Sequence, residues 1–167
     1  VGLDLMSRVL NDYYSYSPKV YLFYASDIGK KNIPEYEDRP LDETVRLHLA
    51  VAGCNIVTSL RDADIAYLVN CEDEFGWRSS FPLKKDFSDV IGIINYAISD
   101  HKYVAIADSA YANRGDIALF NCLKENDLIS KINAYAGWNT NSNTLGTTNA
   151  MMVASFYCKN KNKLKLM

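Results

Sequence analysis

Five short runs rich in β-formers recur along this chain, spaced by helical segments or brief turns, and that alternation limits the possible folds more than any other feature. The runs are Lys19 to Ala25, Cys54 to Thr58, Asp64 to Asn70, Tyr103 to Ala107 and Ile132 to Ala136. They are close to continuously apolar, as strands covered on both faces are. Between them, Leu41, Val45, Leu49 and Ala52 share one helical face, and Phe87, Val90, Ile91, Ile94 and Ile98 follow the same period. Ile117, Phe120 and Leu123 mark a short helix, and Leu145 to Tyr157 reads as the last one. A further helical stripe of Leu3, Met6, Val9 and Leu10 precedes the first strand. Pro40 suits a first helical turn, Asp42 and Glu43 its N-terminal dipole, and Gly53 its stop. Asp42 also reads as a cap of that helix, and Asp86 as the cap of the next. Strands joined by helices imply crossover connections and a parallel sheet. The predicted fold is therefore α/β, a three-layer doubly wound sheet of about five mostly parallel strands, Rossmann- or flavodoxin-like.

Size fixes the domain count. A chain of 167 residues is long enough for one full core and short for two. The expected division is a single α/β domain over residues 1–158 and a basic C-terminal tail over 159–167. The tail's Lys159, Lys161, Lys163 and Lys165 read as a solvated, frayed end. A formal charge of −2 gives no basic footprint, which argues against nucleic acid as a partner. No apolar run approaches bilayer-spanning length, which argues against a membrane. The four cysteines, Cys54, Cys71, Cys122 and Cys158, are widely spaced, with no C-x-x-C or Cys/His pattern. They read as reduced thiols of a cytoplasmic protein, and no metal site is expected. The sequence identifies no cofactor. The chain begins at Val1 and passes at once into a helical pattern, so it reads as a piece of a longer protein whose N-terminal half is a further partner.

The stretch YAGWNTNSNTLG, Tyr135 to Gly146, carries the best candidate site. After an apolar run come one Trp, three Asn, two Thr and one Ser, then a helix. A strand ending in such a loop presents backbone N–H groups, side-chain amides and an aromatic face at one spot, which suits a small polar ligand. In doubly wound folds ligands bind beyond the carboxyl ends of the strands, and four strand ends here lead into polar segments. The first leads to Tyr36-Glu37-Asp38-Arg39-Pro40. The third ends at Asn70 and enters Cys71-Glu72-Asp73-Glu74-Phe75-Gly76-Trp77. The fourth ends at Asp108, followed by Ser109-Ala110-Tyr111-Ala112-Asn113, and the fifth enters Gly137-Trp138-Asn139-Thr140. Tyr24, Asn70, Asp108 and Gly137 are predicted at one edge of the sheet. Asp108 can orient a ligand, act as acid or base, or cap a turn. Arg39 is either a ligand clamp or an ion pair with Asp38, and Trp138 either a stacking platform or a lid over the core. Glu72, Asp73 and Glu74 read as a solvated run.

The site assignment is Asp108 and Asp38 as candidate catalytic residues. Arg39, Asn70, Tyr111, Asn113, Trp138, Asn139, Thr140 and Asn143 are the candidate ligand-binding residues. Asn, Asp and Arg offer paired donors and acceptors to vicinal hydroxyls, and an aromatic face suits the apolar side of a sugar ring. The expected ligand is a small polyhydroxylated molecule, a sugar or sugar derivative. The alternative is a non-catalytic binding or assembly module, for which Phe75, Trp77 and Phe81 would supply the apolar contacts. There is no G-x-x-x-x-G-K-[ST], no G-x-G-x-x-G and no G-x-S-x-G. These absences disfavour Walker-type nucleotidases, dinucleotide dehydrogenases of the usual kind and α/β-hydrolases.

The segments VGLDLMSR (Val1 to Arg8), YEDRPLDETVRLHL (Tyr36 to Leu49), ADSAYANRGD (Ala107 to Asp116) and YAGWNTNSNTLGT (Tyr135 to Thr147) carry a family likeness. They resemble the C-terminal half of a bacterial domain-of-unknown-function family, number 4127, whose members are much longer than this chain. The resemblance spans essentially the whole chain, and the last segment is its most specific motif. It implies a missing N-terminal half. It brings no established activity, cofactor or catalytic residue with it.

Overall fold

The computed structural model describes residues 2–25, 40–71, 87–109, 118–137 and 142–160. In chain order the elements are α1 (Gly2–Tyr14), β1 (Lys19–Tyr24), α2 (Leu41–Val51), β2 (Asn55–Val57) and β3 (Ile65–Cys71), then α3 (Ser88–Ser99), β4 (Tyr103–Ser109), α4 (Ala118–Glu125), β5 (Ala134–Gly137) and α5 (Ser142–Asn160). The five strands form one sheet in the order β2-β1-β3-β4-β5, and every neighbouring pair is parallel. The sheet grows outward from β1 to β2, returns past β1 to β3, and continues to β5. The direction of winding thus reverses between β1 and β3, a topological switch point of the flavodoxin-like strand order.

Strand alternation distributes the core over two faces. On one, Val20, Leu22, Ile65, Tyr67, Val69, Tyr103, Ala105 and Ala107 meet Leu41, Val45 and Leu49 of α2 and Leu145, Met152, Val153, Phe156 and Tyr157 of α5. On the other, Phe23, Ala66, Leu68, Val104 and Ile106 meet Val90, Ile94 and Ala97 of α3 and Leu119 and Leu123 of α4. The three inner strands, β1, β3 and β4, are therefore apolar on both sides, which is why they read as nearly unbroken hydrophobic runs. The helical face predicted for the second helix is fully buried at Leu41, Val45, Leu49 and Ala52.

Helix α1 is held on the outside of this layer by specific polar contacts. Arg8 Nε donates to the Val51 carbonyl at 2.8 Å, and Asn11 Nδ2 donates to the carbonyls of Ala52 and Gly53 at 3.0 and 2.9 Å. Tyr14 stacks on Tyr157 of α5 with ring centroids 5.3 Å apart. The Tyr157 hydroxyl lies within hydrogen-bond distance of Asn11 Oδ1 and, at 2.7 Å, of the Tyr16 carbonyl. Of the predicted stripe, Leu10 packs on the core but Val9 is 56% exposed. The side chains of Leu3 and Met6 lie outside the described residues. Val9 falls instead on an outer line with Leu5 and Tyr13, four residues away on either side.

Three boundaries differ from the sequence reading. The last strand starts at Ala134 rather than Ile132, because a 3₁₀ turn at Ile129–Lys131 takes up the preceding residues. The last helix begins at Ser142, inside the Asn- and Thr-rich stretch, and runs to Asn160. Small polar residues are favoured at a helix start because they compete well for its free N–H groups. The second helix has Pro40 at its N-cap position with no side-chain cap bond, so Asp42 is not a cap. Asp86 lies outside the described residues.

Candidate functional site

Parallel register brings the ends of β3, β4 and β5 level. Asn70 stands opposite Asp108, and Asp108 opposite Gly137. Tyr24 ends β1 at the same edge, so Tyr24, Asn70, Asp108 and Gly137 share it as expected. Asn70 and Asp108 follow the apolar residues of β3 and β4 directly, on the face covered by α3 and α4, and each is only 3% exposed. Asn70 Nδ2 donates to Asp108 Oδ1 at 3.0 Å. The Tyr135 hydroxyl of β5 donates to Asp108 Oδ2 through a short contact. Among the described residues no cation pairs with this carboxylate.

That arrangement sets opposing forces on one proton. Burial raises the Asp108 pKa above the ordinary carboxylate value, and the bonds from Tyr135 and Asn70 pull it back in part. The net direction is upward, so Asp108 holds its proton to higher pH than an exposed aspartate does. A buried carboxyl with raised proton affinity, flanked by a phenol and an amide, can accept from or donate to a ligand hydroxyl, or carry a proton in acid–base chemistry.

A second polar group stands at the end of β1, beside the switch point. The Tyr24 hydroxyl donates to Asp42 Oδ1 at 2.8 Å, and Arg46 Nε donates to Asp42 Oδ2 at 2.7 Å. Burial, and then the Asp42 bond, push the Tyr24 hydroxyl well above its usual range. Asp42 thus belongs to the β1–α2 junction, where its carboxylate is shared between a phenol and a guanidinium.

A third group lies on the opposite sheet face, between β3, α5 and α2. The Tyr67 hydroxyl donates to Asn149 Oδ1 at 2.5 Å, and Asn149 Nδ2 lies 3.0 Å from His48 Nδ1. Asn149 is fully buried. Where α5 follows β5, Leu145 is fully buried and Thr148 Oγ1 reaches the Gly137 carbonyl at 3.4 Å.

Of the residues expected at the site, the structure brings Asn70 and Asp108 into direct contact. Asn143 lies in the first turn of α5, with its side chain outside the described residues. Asp38, Arg39, Tyr111, Asn113, Trp138, Asn139 and Thr140 lie outside the described residues, as do Glu72, Asp73, Glu74, Phe75, Trp77 and Phe81. The segments containing them follow the ends of β1, β3, β4 and β5 in the chain. Sequence reasoning passed over Tyr135 as a partner of Asp108. Its only signal is a hydroxyl-bearing aromatic among the small residues Ala134, Ala136 and Gly137. Tyr67, His48 and Asn149 were also passed over, because each looks like ordinary strand or helix material until its partner is known; Tyr24 was placed at the edge, but its Asp42 partner was not.

An open cavity of about 350 Å³ lies elsewhere, lined by Asn11, Asp12, Ser15, Tyr16 and Ser17. It sits before β1, at the amino edge of the sheet. Its polar side chains are engaged in structural contacts: Asn11 Nδ2 donates to the Ala52 and Gly53 carbonyls, Ser17 Oγ donates to the Gly53 carbonyl, and the Tyr16 hydroxyl to Asp64 Oδ2 at 2.6 Å. The Asp108 group is the better candidate because its polarity is buried and set beyond the carboxyl ends of the strands, where open α/β sheets bind ligands. Among the described residues no cluster of three His, Cys, Asp or Glu side chains is placed to hold a metal ion. Among them, too, no helix is long and apolar enough to cross a membrane.

Fold and site together define a doubly wound, flavodoxin-like α/β protein with a buried carboxyl group at the carboxyl-terminal edge of its sheet. The chain belongs to the family described as protein of unknown function (DUF4127), whose family model matches residues 1–167. No curated protein and no solved structure matches it.

Proposed function

We propose that this domain binds a small polyhydroxylated ligand, a sugar or sugar derivative, beyond the carboxyl ends of β3 and β4, as part of a larger enzyme. The observation that carries the reading is Asp108, buried at that edge and held by Asn70 and Tyr135. A protein retains a buried carboxyl, here with no cation beside it among the described residues, at a cost in stability, and a ligand-facing role is a common reason. Position supports the reading too, since open α/β sheets bind ligands outside the carboxyl ends of their strands, and Asn70 lies at the carboxyl end of β3, one of the two strands at the switch point. In this reading Asp108 accepts from, or donates to, a ligand hydroxyl and is the first candidate for acid–base work, with Asp38 second. Arg39, Asn70, Tyr111, Asn113, Asn139, Thr140 and Asn143 supply further polar contacts, and Trp138 supplies an apolar face for the ring.

A screen of sugars and phosphorylated sugars by thermal shift tests this without assuming a reaction. Once a ligand is found, Asp108→Asn, Tyr135→Phe and Trp138→Ala should each weaken binding by about ten- to hundredfold, equivalent to about 1–3 kcal/mol for a lost buried contact. Variants that bind as the parent does, with lower melting temperature as their only defect, would make the group scaffolding. The second reading is a non-catalytic assembly module that docks an N-terminal half. The observation on its side is the outer line of α1, where Leu5, Val9 and Tyr13 are 65%, 56% and 58% exposed. It predicts self-association of the isolated chain that Val9→Lys relieves, read by light scattering.

A further inference from the structure

We infer that the ligand itself brings the cation that pairs with Asp108: the Asn70–Asp108–Tyr135 group is an anchor for a protonated amine, and the ligand is an amino sugar or a related amino polyol. The inference rests on the reading of that edge as a ligand site and narrows it. Its ground is a comparison of the carboxylates. Asp42 is shared by the Tyr24 hydroxyl and the Arg46 guanidinium. Asp100 lies 3.3 Å from Lys102 Nζ. Asp64 accepts from the Tyr16 hydroxyl and the Lys19 N–H at the amino edge, and Asp12 is exposed. Among the described residues Asp108 is the one charged side chain that is buried, and no cation stands beside it there.

Three neighbouring strands decide which form of this carboxyl the fold is built to hold. β3, β4 and β5 contribute Asn70, Asp108 and Tyr135 in turn. Asn70 Nδ2 donates to Oδ1 and the Tyr135 hydroxyl to Oδ2. A donor on each oxygen favours the ionised form, and burial without a counter-charge opposes it. A ligand ammonium removes that opposition without disturbing either bond. An ionised carboxylate offers about four acceptor sites. Asn70 and Tyr135 occupy one on each oxygen, and an ammonium can donate to those that remain.

Charge then separates the ligand classes. A ligand hydroxyl supplies the hydrogen bond but no charge. A phosphate or carboxylate at that point sets a like charge against Asp108. A protonated amine supplies both bond and charge, and charge-assisted bonds are the stronger ones. Among the described residues no group of three His, Cys, Asp or Glu side chains forms around Asp108 to hold a metal ion instead.

Titration of the chain at neutral pH, followed by NMR, compares glucosamine with glucose and N-acetylglucosamine, galactosamine with its two neutral counterparts, and serinol with glycerol. At least one free amine should bind about tenfold tighter than its neutral counterparts, the difference between a charged and a neutral hydrogen-bonded pair. Asp108→Asn should abolish that preference, and Asp12→Asn, at the amino edge, should leave it intact. With the amine bound, the Asp108 carboxyl carbon of the parent should titrate at lower pH than without it. The inference is overturned if no free amine binds tighter than its neutral counterparts, if the preference survives Asp108→Asn or is lost in Asp12→Asn, or if a bound amine leaves the Asp108 titration unmoved. Neutral sugars that bind through Asp108 as tightly as the amines would remove the amine and keep the sugar reading. Serinol binding as tightly as glucosamine would do the reverse, keeping the ammonium anchor and removing the sugar. If Asp108→Asn does not fold, the carboxyl titration of the parent decides.

Discussion

Asp108 sits where two effects on one proton oppose each other. Burial raises its pKa, and the Tyr135 and Asn70 bonds lower it without cancelling the rise. A carboxyl whose folded pKa lies above its unfolded value contributes stability that is complete below the unfolded pKa and lost as pH rises through the folded one. The window therefore opens near the ordinary aspartate value of about 3.9 and extends upward. The stability of the parent relative to Asp108→Asn should fall as pH rises through that window, by up to about tenfold in the unfolding constant per pH unit. Chemical denaturation of both proteins from pH 3.5 to 7 checks this. A difference that grows with pH would mean that the hydrogen bonds outweigh burial. Asp108 and Asn70 were both legible in the sequence, because a polar residue directly after an apolar strand stands out. Tyr135 was not, since only the pairing of Ile106 with Tyr135 brings its hydroxyl to the Asp108 side of the sheet.

Elements dock here through a few directed contacts as well as through apolar area. Gly53 is the clearest case. Its φ is +88°, and a Cβ there would stand 1.7 Å from Asn11 Nδ2. Gly53→Ala therefore meets both the left-handed backbone penalty of about 1–2 kcal/mol and displacement of the amide that ties α1 to the end of α2. The expected result is a loss of about 2–4 kcal/mol, the left-handed penalty together with one or two buried hydrogen bonds, read from denaturant midpoints. Asn11→Ala keeps the turn and loses only the bonds, so it should cost less. An equal cost for the two would remove the steric argument. Gly53 was legible as a helix stop, but its role in admitting Asn11 was not. That role needs a helix forty residues away in sequence to arrive against it.

At the scale of the molecule, the sheet buries its chemistry unevenly. The Cys54 thiol is buried and pushed up to about 12 by that burial, while Cys122 is half-buried and Cys158 exposed, and none of the three is in a disulfide. In the native chain at pH 8, Cys158 should react with a thiol reagent first and Cys54 only on unfolding, since the thiolate is the reactive form. Titration in denaturant without reductant should find four thiols, one for each cysteine in the sequence. Two or none would mean that disulfides form, and fast native labelling at Cys54 would mean that its pocket opens.

The alternation of apolar runs with helical periods was enough to fix the class of fold and the edge where polar residues gather, because burial on both faces forces continuous apolar strands and helices to cover them. It was enough for the buried faces of α2 and α3 and for singling out Asn70 and Asp108 as strand-end residues. It could not decide strand order or register, for which parallel neighbours carry no local signature. Nor could it decide which polar side chains meet. The Asp108–Tyr135 contact joins β4 to β5, and the Tyr67–Asn149–His48 chain joins three elements across 101 positions of sequence. Each such bond needs elements distant in sequence to be packed side by side, so the tertiary structure alone decides its partners.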